Sequence, residues 1–169
     1  MPGVLDNESG VVEPDKVAKA LAHAMNFYHV IVVDVGSDVD AQSVKVFEQA
    51  ALIYVLTNPE ILVLHHTRRV IEKIQNLLFP PDMIKLILNR FTPKKGILPQ
   101  MIQTNLKKPI LAVIPEDEMT TVTSMTTAKP FVISAPRAEI TQAYFNLVRT
   151  ISSSQILEKM SQLKKPSDA

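Results

Sequence analysis

Asp34 is the side chain best placed to do chemistry. It closes the run His29-Val-Ile-Val-Val-Asp-Val35 and stands just before Gly36-Ser37. A β-branched run that delivers one carboxylate to the start of a loop suits a nucleotide-binding α/β protein, where such an acid holds the water shell of a Mg²⁺ ion. The same acid could cap the next turn or helix, and Ser37 or Asp38 could do so too. Asn89-Arg90 closes a second aliphatic run and reads either as a recogniser of a base edge or as a polar strand end with a solvated Arg90. His65-His66-Thr-Arg-Arg69 invites a metal or anion reading. Adjacent helical histidines point about 100° apart, however, and chelate poorly, so a solvated or partner-facing surface fits better. The stretch 120–127, rich in Thr and Ser, has no His or Asp at a spacing that would activate a hydroxyl.

One part of a nucleotide site is missing from the sequence. A phosphate loop needs closely spaced glycines, so that backbone N–H groups surround the phosphates, and a Lys to counter their charge. The four glycines here are Gly3, Gly10, Gly36 and Gly96. They lie far apart, and none precedes Lys-Ser or Lys-Thr.

Four short aliphatic runs must position these groups: residues 29–35, 52–56, 84–88 and 110–114. Each is apolar at successive positions, as parallel strands are when helices cover both faces of a sheet. Amphipathic stretches separate them. Pro14-Asp15 opens a helix through about Asn26, with Val17, Leu21, Ala24 and Met25 as its inner stripe. A second helix over 38–49 turns Val44 and Phe47 inward. Thr57-Asn-Pro-Glu60 reads as an N-cap, a Pro at the first helical position and an acid in the first turn. Ile61, Leu64, Ile71, Ile74 and Leu78 then recur at helical spacing, and Phe79-Pro-Pro-Asp82 ends that helix. Pro99 opens another, which closes near Lys107-Lys108. Those two lysines, like Lys94-Lys95, read as loop and helix-end charges. Two further segments, near 116–127 and 137–151, complete the pattern.

Alternating strand and helix predicts a three-layer α/β/α sandwich with a mostly parallel sheet and right-handed crossovers. Strand order is not readable from it. Ligands in such sheets bind beyond the carboxyl ends of the strands, at residues 34–37, 57–59, 89–90 and 115–118. We expect a domain over 1–152 and a helical, fraying end over 153–169. In that end Ile156, Leu157, Met160 and Leu163 make a short amphipathic stripe.

Composition narrows the function. The chain has 169 residues, 46% hydrophobic and 21% charged, enough for one soluble globular core. A net charge of +1, with six Phe, three Tyr and no Trp, argues against direct nucleic-acid binding. Zero Cys excludes disulfides, thiolate catalysis and Cys-type zinc sites. The N-terminus shows neither a basic nor an apolar region of a signal peptide.

The ordered strand ends resemble the later part of MinD/ParA-type P-loop ATPases, most closely the Tad/Flp pilus-assembly proteins of the CpaE or TadZ type. Phe27 to Asp34 resembles that family's "fDyVivD" strand. Ala51-Leu-Ile-Tyr-Val-Leu-Thr-Asn-Pro-Glu60 is similar to its "adlillvttPe" segment. Ile84 to Arg90 resembles its strand ending in Asn-Arg, and Gly96 through Pro115 the segment ending in "iP.D". Ala128-Lys-Pro130 stands where the family has "G.P", with Lys129 in place of Gly. The resemblance covers roughly residues 4–151.

It implies that Asp34 is the acid of the Mg²⁺ site. It also implies that Asn89 and Arg90 lie at the base, with Pro115 and Asp117 lining the base pocket. The family's phosphate loop lies upstream of everything matched here. ATP and Mg²⁺ are therefore expected only if that loop is supplied elsewhere. The resemblance implies a cytoplasmic module that works through a protein partner or self-association, peripheral at the inner membrane or cell pole. Two alternatives are a fragment of a CpaE/TadZ-like ATPase and a receiver-like signalling domain with Asp34 as phospho-acceptor. The receiver reading needs an acidic pair on an earlier strand, and no earlier strand is visible.

Overall fold

The computed structural model describes residues 12–93 and 96–152. The chain divides after Ala50 into two compact units.

In the first unit, Pro14 starts α1 (Pro14–Ala24), where its fixed φ suits the first helical turn and its missing N–H costs nothing. α2 (Ala41–Gln49) starts three residues later than position 38, because Asp40 builds a capping box. The Ser43 N–H donates to Asp40 Oδ1 at 2.8 Å, and the Asp40 N–H donates to Ser43 Oγ at 2.7 Å. The bonds from the Ser43 backbone and hydroxyl hold the Asp40 carboxyl below its ordinary range. α1 and α2 pack together, and the Gln49 side-chain amide donates to Ala18 O at 3.1 Å. Phe47 is buried as expected, but Val46 rather than Val44 is the second buried aliphatic.

The strand expected over 29–35 does not form. Residues 30–36 belong to no strand, and residues 29–34 are all exposed. A strand is made by a hydrogen-bonded neighbour, and a β-branched run alone does not supply one. None of the described residues pairs with this segment.

The second unit opens with β1 (Ile53–Thr57) and α3 (Ile61–Asn76). A 3₁₀ turn at Pro81–Met83 leads into β2 (Ile84–Phe91), followed by α4 (Pro99–Leu106) and β3 (Ile110–Pro115). Three helices follow: α5 (Glu118–Thr127), α6 (Phe131–Ser134) and α7 (Glu139–Ser152). The strands form a parallel sheet in the order β1-β2-β3. Three of the four expected runs are thus strands, each within a few residues of its expected bounds.

Helices lie on both faces of this sheet. On one face, Ile53, Val55, Leu86 and Leu88 are buried on the side of α3, whose Leu64, Thr67, Ile71 and Ile74 are buried in turn. α4 packs against α3 and buries Ile102 and Leu106. On the other face Ile87 and Ile114 pack with Ile140 of α7, joined by Tyr54, Phe131 and Leu147. The Tyr54 phenol is buried there with no hydrogen-bond partner among the described residues, and burial pushes its pKa up.

Three local readings change. Thr57 is not an N-cap but the last residue of β1, and α3 begins at Ile61, so Pro59 lies before the helix. The physical reason is burial: Thr57 is 2% exposed and its hydroxyl lies 2.8 Å from that of Thr67. Ile61 and Leu78 leave the predicted stripe and are 68% and 90% exposed, because one opens the helix and the other lies beyond its end with φ +64°. Lys108 is not a solvated helix-end charge. It is buried, and its Nζ donates to Pro81 O at 2.7 Å. Burial lowers its pKa, with Lys85 acting in the same direction and Asp82 opposing. Lys94, Lys95 and the amphipathic stripe at 156–163 lie outside the described residues.

Candidate functional site

The carboxyl ends of β2 and β3 form a single polar rim. Phe91 pairs with Pro115, after irregular register between Leu88 and Phe91. The Glu116 N–H donates to Phe91 O at 3.0 Å, extending the strand pairing by one bond. Arg90 has φ +54°, a left-handed conformation that costs a non-glycine residue roughly 1 kcal/mol. Its side chain is tied down: Nε and Nη2 both donate to Glu116 Oε1, at 3.3 and 3.0 Å. The other carboxylate oxygen, Oε2, accepts from Thr92 Oγ1 at 3.0 Å. Glu116 therefore joins the exit of β2 to the exit of β3.

The sequence-predicted residues of this rim fall into different roles. Asn89, Arg90, Pro115 and Asp117 lie at these two adjoining strand ends. Asn89 is half-buried, and its side-chain amide makes no hydrogen bond among the described residues. Arg90 is exposed, as a solvated strand-end charge would be, and is also ion-paired with Glu116. Asp117 is the N-cap of α5, and its Oδ1 accepts from the Thr120 N–H at 2.9 Å. Asp117→Ala is expected to lower stability by about 1 kcal/mol, the usual cost of losing a cap. Thermal melting of the variant checks this, and Asp117→Asn should recover most of the loss. Thr92 escapes a reading of the sequence by strand ends, whereas Glu116 falls within the expected 115–118 strand end but is given no role there. The sequence signal that points to this strand end is the acid-rich run Pro115-Glu-Asp-Glu118.

The exit of β1 meets the loop after β2 through Gly96. This glycine has φ +92°, and a Cβ there would lie 3.1 Å from both Pro59 Cβ and Pro59 O. Only glycine allows that approach without displacing the backbone.

Asp34 belongs to the first unit. It forms a local turn, with Oδ1 accepting from the Gly36 N–H at 3.2 Å and Gly36 at φ +77°. Among the described residues no three His, Asp or Glu side chains converge as metal ligands would. A groove of about 550 Å³ between α1 and α2 is lined by Glu13, Asp15, Lys45 and Glu48. Lys45 already bridges two of these acids, Glu48 at 3.1 Å and Asp15 at 4.0 Å.

The fold has counterparts among known proteins. The chain is 27% identical over 146 residues to the septum site-determining protein MinD of Thermotoga maritima, covering 83% of this chain and 53% of that protein. A ParA family ATPase from Chlorobium tepidum superposes with a TM-score of 0.78 at 24% identity, over 89% of this chain and 62% of that one. The fold is of the MinD/ParA type. The septum site-determining protein MinD from Pyrococcus horikoshii, complexed with Mg-ADP, superposes on this chain with a TM-score of 0.71 at 23% identity, over 86% of this chain and 59% of that one. No protein-family model matches. The chain spans about half the length of the curated relative it matches.

Proposed function

We propose that this chain is a MinD/ParA-like module that acts through protein contacts and does not hydrolyse ATP by itself. One observation carries the reading. The charged side chains expected at the site are engaged in local structure: Asp34 in a turn of the first unit, and, at the ends of β2 and β3, Arg90 with Glu116 and Asp117 in a helix cap. Asn89 offers a polar group that fits the edge of a nucleobase. Nothing in the sequence fits the phosphates, since the four glycines stand far apart.

The setting we propose is Flp/Tad-type pilus assembly, on the strength of the CpaE/TadZ resemblance. The partner is then a protein or a second copy, and the module works in the cytoplasm or peripherally at the inner membrane or cell pole. A solved MinD from Aquifex aeolicus is in complex with MinC, which supports protein partnering as the mode of action. None of the helices among the described residues is long and apolar enough to cross a membrane.

A second reading is favoured by the exposed, unpaired segment at 30–33 and by the 53% span of the curated relative. In it, the chain is part of an ATPase whose phosphate loop is supplied by other polypeptide, and ATP and Mg²⁺ bind only when that loop is present. Phosphate release from Mg-ATP tests the first reading. The purified chain should release none above a protein-free control, and Asp34→Ala should change nothing.

A further inference from the structure

α5 is built from residues that favour a helix weakly. Five threonines, a valine and a serine fill seven of its ten positions, and β-branched side chains lose χ1 freedom against the preceding turn. The hydroxyls of Thr121, Thr126 and Thr127 bond back to the carbonyls of Asp117, Val122 and Thr123, at 2.8, 3.0 and 2.7 Å. Such bonds slightly destabilise a helix. None of its residues is buried, and its main packing partner is α6, a four-residue helix that buries none of its own. The far end adds strain. Ala128 closes the helix at φ +51°, in the left-handed region that glycine enters freely.

The chain on either side is fixed to the body. Before α5, the Glu116 N–H donates to Phe91 O, and the Glu116 carboxylate holds Arg90 and Thr92. After it, Phe131 packs with Ile87, Ile114 and Ile140 and meets the Tyr144 ring edge-on at 5.4 Å. Between these points the helix is tied mainly to itself. Asp117 Oδ1 accepts from the Thr120 N–H at its start. At its end the Ser124 hydroxyl donates to Lys129 O at 2.7 Å, and Ser124 O accepts from the Lys129 N–H at 3.2 Å. Local opening costs least where little apolar surface is buried and the backbone ladder faces water. β2, with Leu86 and Leu88 fully buried, stands at the other extreme.

We propose that α5 is a hinged segment that unfolds and re-forms between Glu116 and Phe131 while the sheet stays folded. Closed, it engages the Asp117 carboxylate in its cap. Open, it releases that carboxylate at the rim formed by the ends of β2 and β3, where the Arg90–Glu116 pair remains. The segment thus switches which acid the rim displays free.

Hydrogen–deuterium exchange of the full chain tests this, read residue by residue by NMR without urea and in a series of low urea concentrations. Each rate is compared with that of the same residue in an unfolded peptide. The amides of 121–127 should exchange at least about a hundredfold faster than those of 86–88, and their rates should scarcely change with urea, because the opening exposes little surface. The 86–88 amides should quicken steeply with urea. The Glu116 amide should follow the sheet and the Thr120 amide the helix, which places the hinge between them. Ala128→Gly relieves the left-handed strain, and Thr126→Ala improves a weak helical position, so each should slow exchange in α5 by roughly twofold to fivefold. Three results overturn the proposal: α5 amides as slow and as urea-dependent as 86–88, a Glu116 amide as fast as those of α5, or α5 rates unmoved by both variants.

Discussion

Leu86→Ala should lower the stability of the protein by about 3 kcal/mol, within the roughly 2–5 kcal/mol range for emptying a buried leucine site. Leu86 lies in the central strand, fully buried, opposite Val55 on one side and paired with Ile110 on the other. The neighbours cannot collapse into the space. β2 is pinned by its ladders to β1 and β3, and α3 and α4 are seated through Ile74 and Ile102, themselves almost fully buried. The lost methyl groups thus leave a cavity as well as a transfer deficit. Urea denaturation should show a lower midpoint with an unchanged slope. Leu86→Met, which preserves volume, should cost less than about 1.5 kcal/mol.

Thr67→Val should cost about 1–3 kcal/mol although it changes no volume. Thr57 and Thr67 are both 2% exposed, and their hydroxyls are 2.8 Å apart. Thr67 Oγ1 is also 2.8 Å from Val63 O. One proton on each oxygen satisfies both contacts when Thr57 donates to Thr67 and Thr67 donates to Val63. Removing the Thr67 hydroxyl strands that of Thr57, whose other neighbour, Asn58 O, lies at 3.5 Å. The double variant Thr57→Val, Thr67→Val removes both polar groups and should be more stable than Thr67→Val alone. A double-mutant cycle in urea measures that non-additivity. The pair fixes where β1 ends and α3 turns back over the sheet, which is the exit next to Pro59.

Much of this arrangement is legible in the sequence because it is local. The aliphatic runs near 52–56, 84–88 and 110–114 are all strands, and Pro14 and Pro99 each open a helix. The failures are non-local. Residues 29–35 have strand composition, but a strand needs a neighbour, and composition at one site does not say whether a partner is present. Thr57 and Pro59 look like a helix start until the burial of Thr57 against Thr67 places them at a strand exit. Lys108 looks like a dipole-complementing charge until the carbonyl of Pro81, 27 residues earlier, is found to receive it.

The candidate site divides in the same way. That Asn89, Arg90, Pro115 and Asp117 share one rim follows from β2 and β3 lying side by side, which alternation of elements does not reveal. Their bonding is less legible still. Glu116 holds Arg90 across 26 positions of sequence, whereas Asp117 acts within its own helix turn. Asp34 does not stand at the end of a strand, where the sequence reading put it. Its carboxylate closes a turn with Gly36 two residues away, a role any short acid before a glycine can take.

We propose that this chain does not turn over ATP unaided. Phosphate release from Mg-ATP by the purified chain and by Asp34→Ala tests it most directly. The account predicts that both are indistinguishable from a protein-free control. Turnover by the unmodified chain that Asp34→Ala abolishes would contradict it.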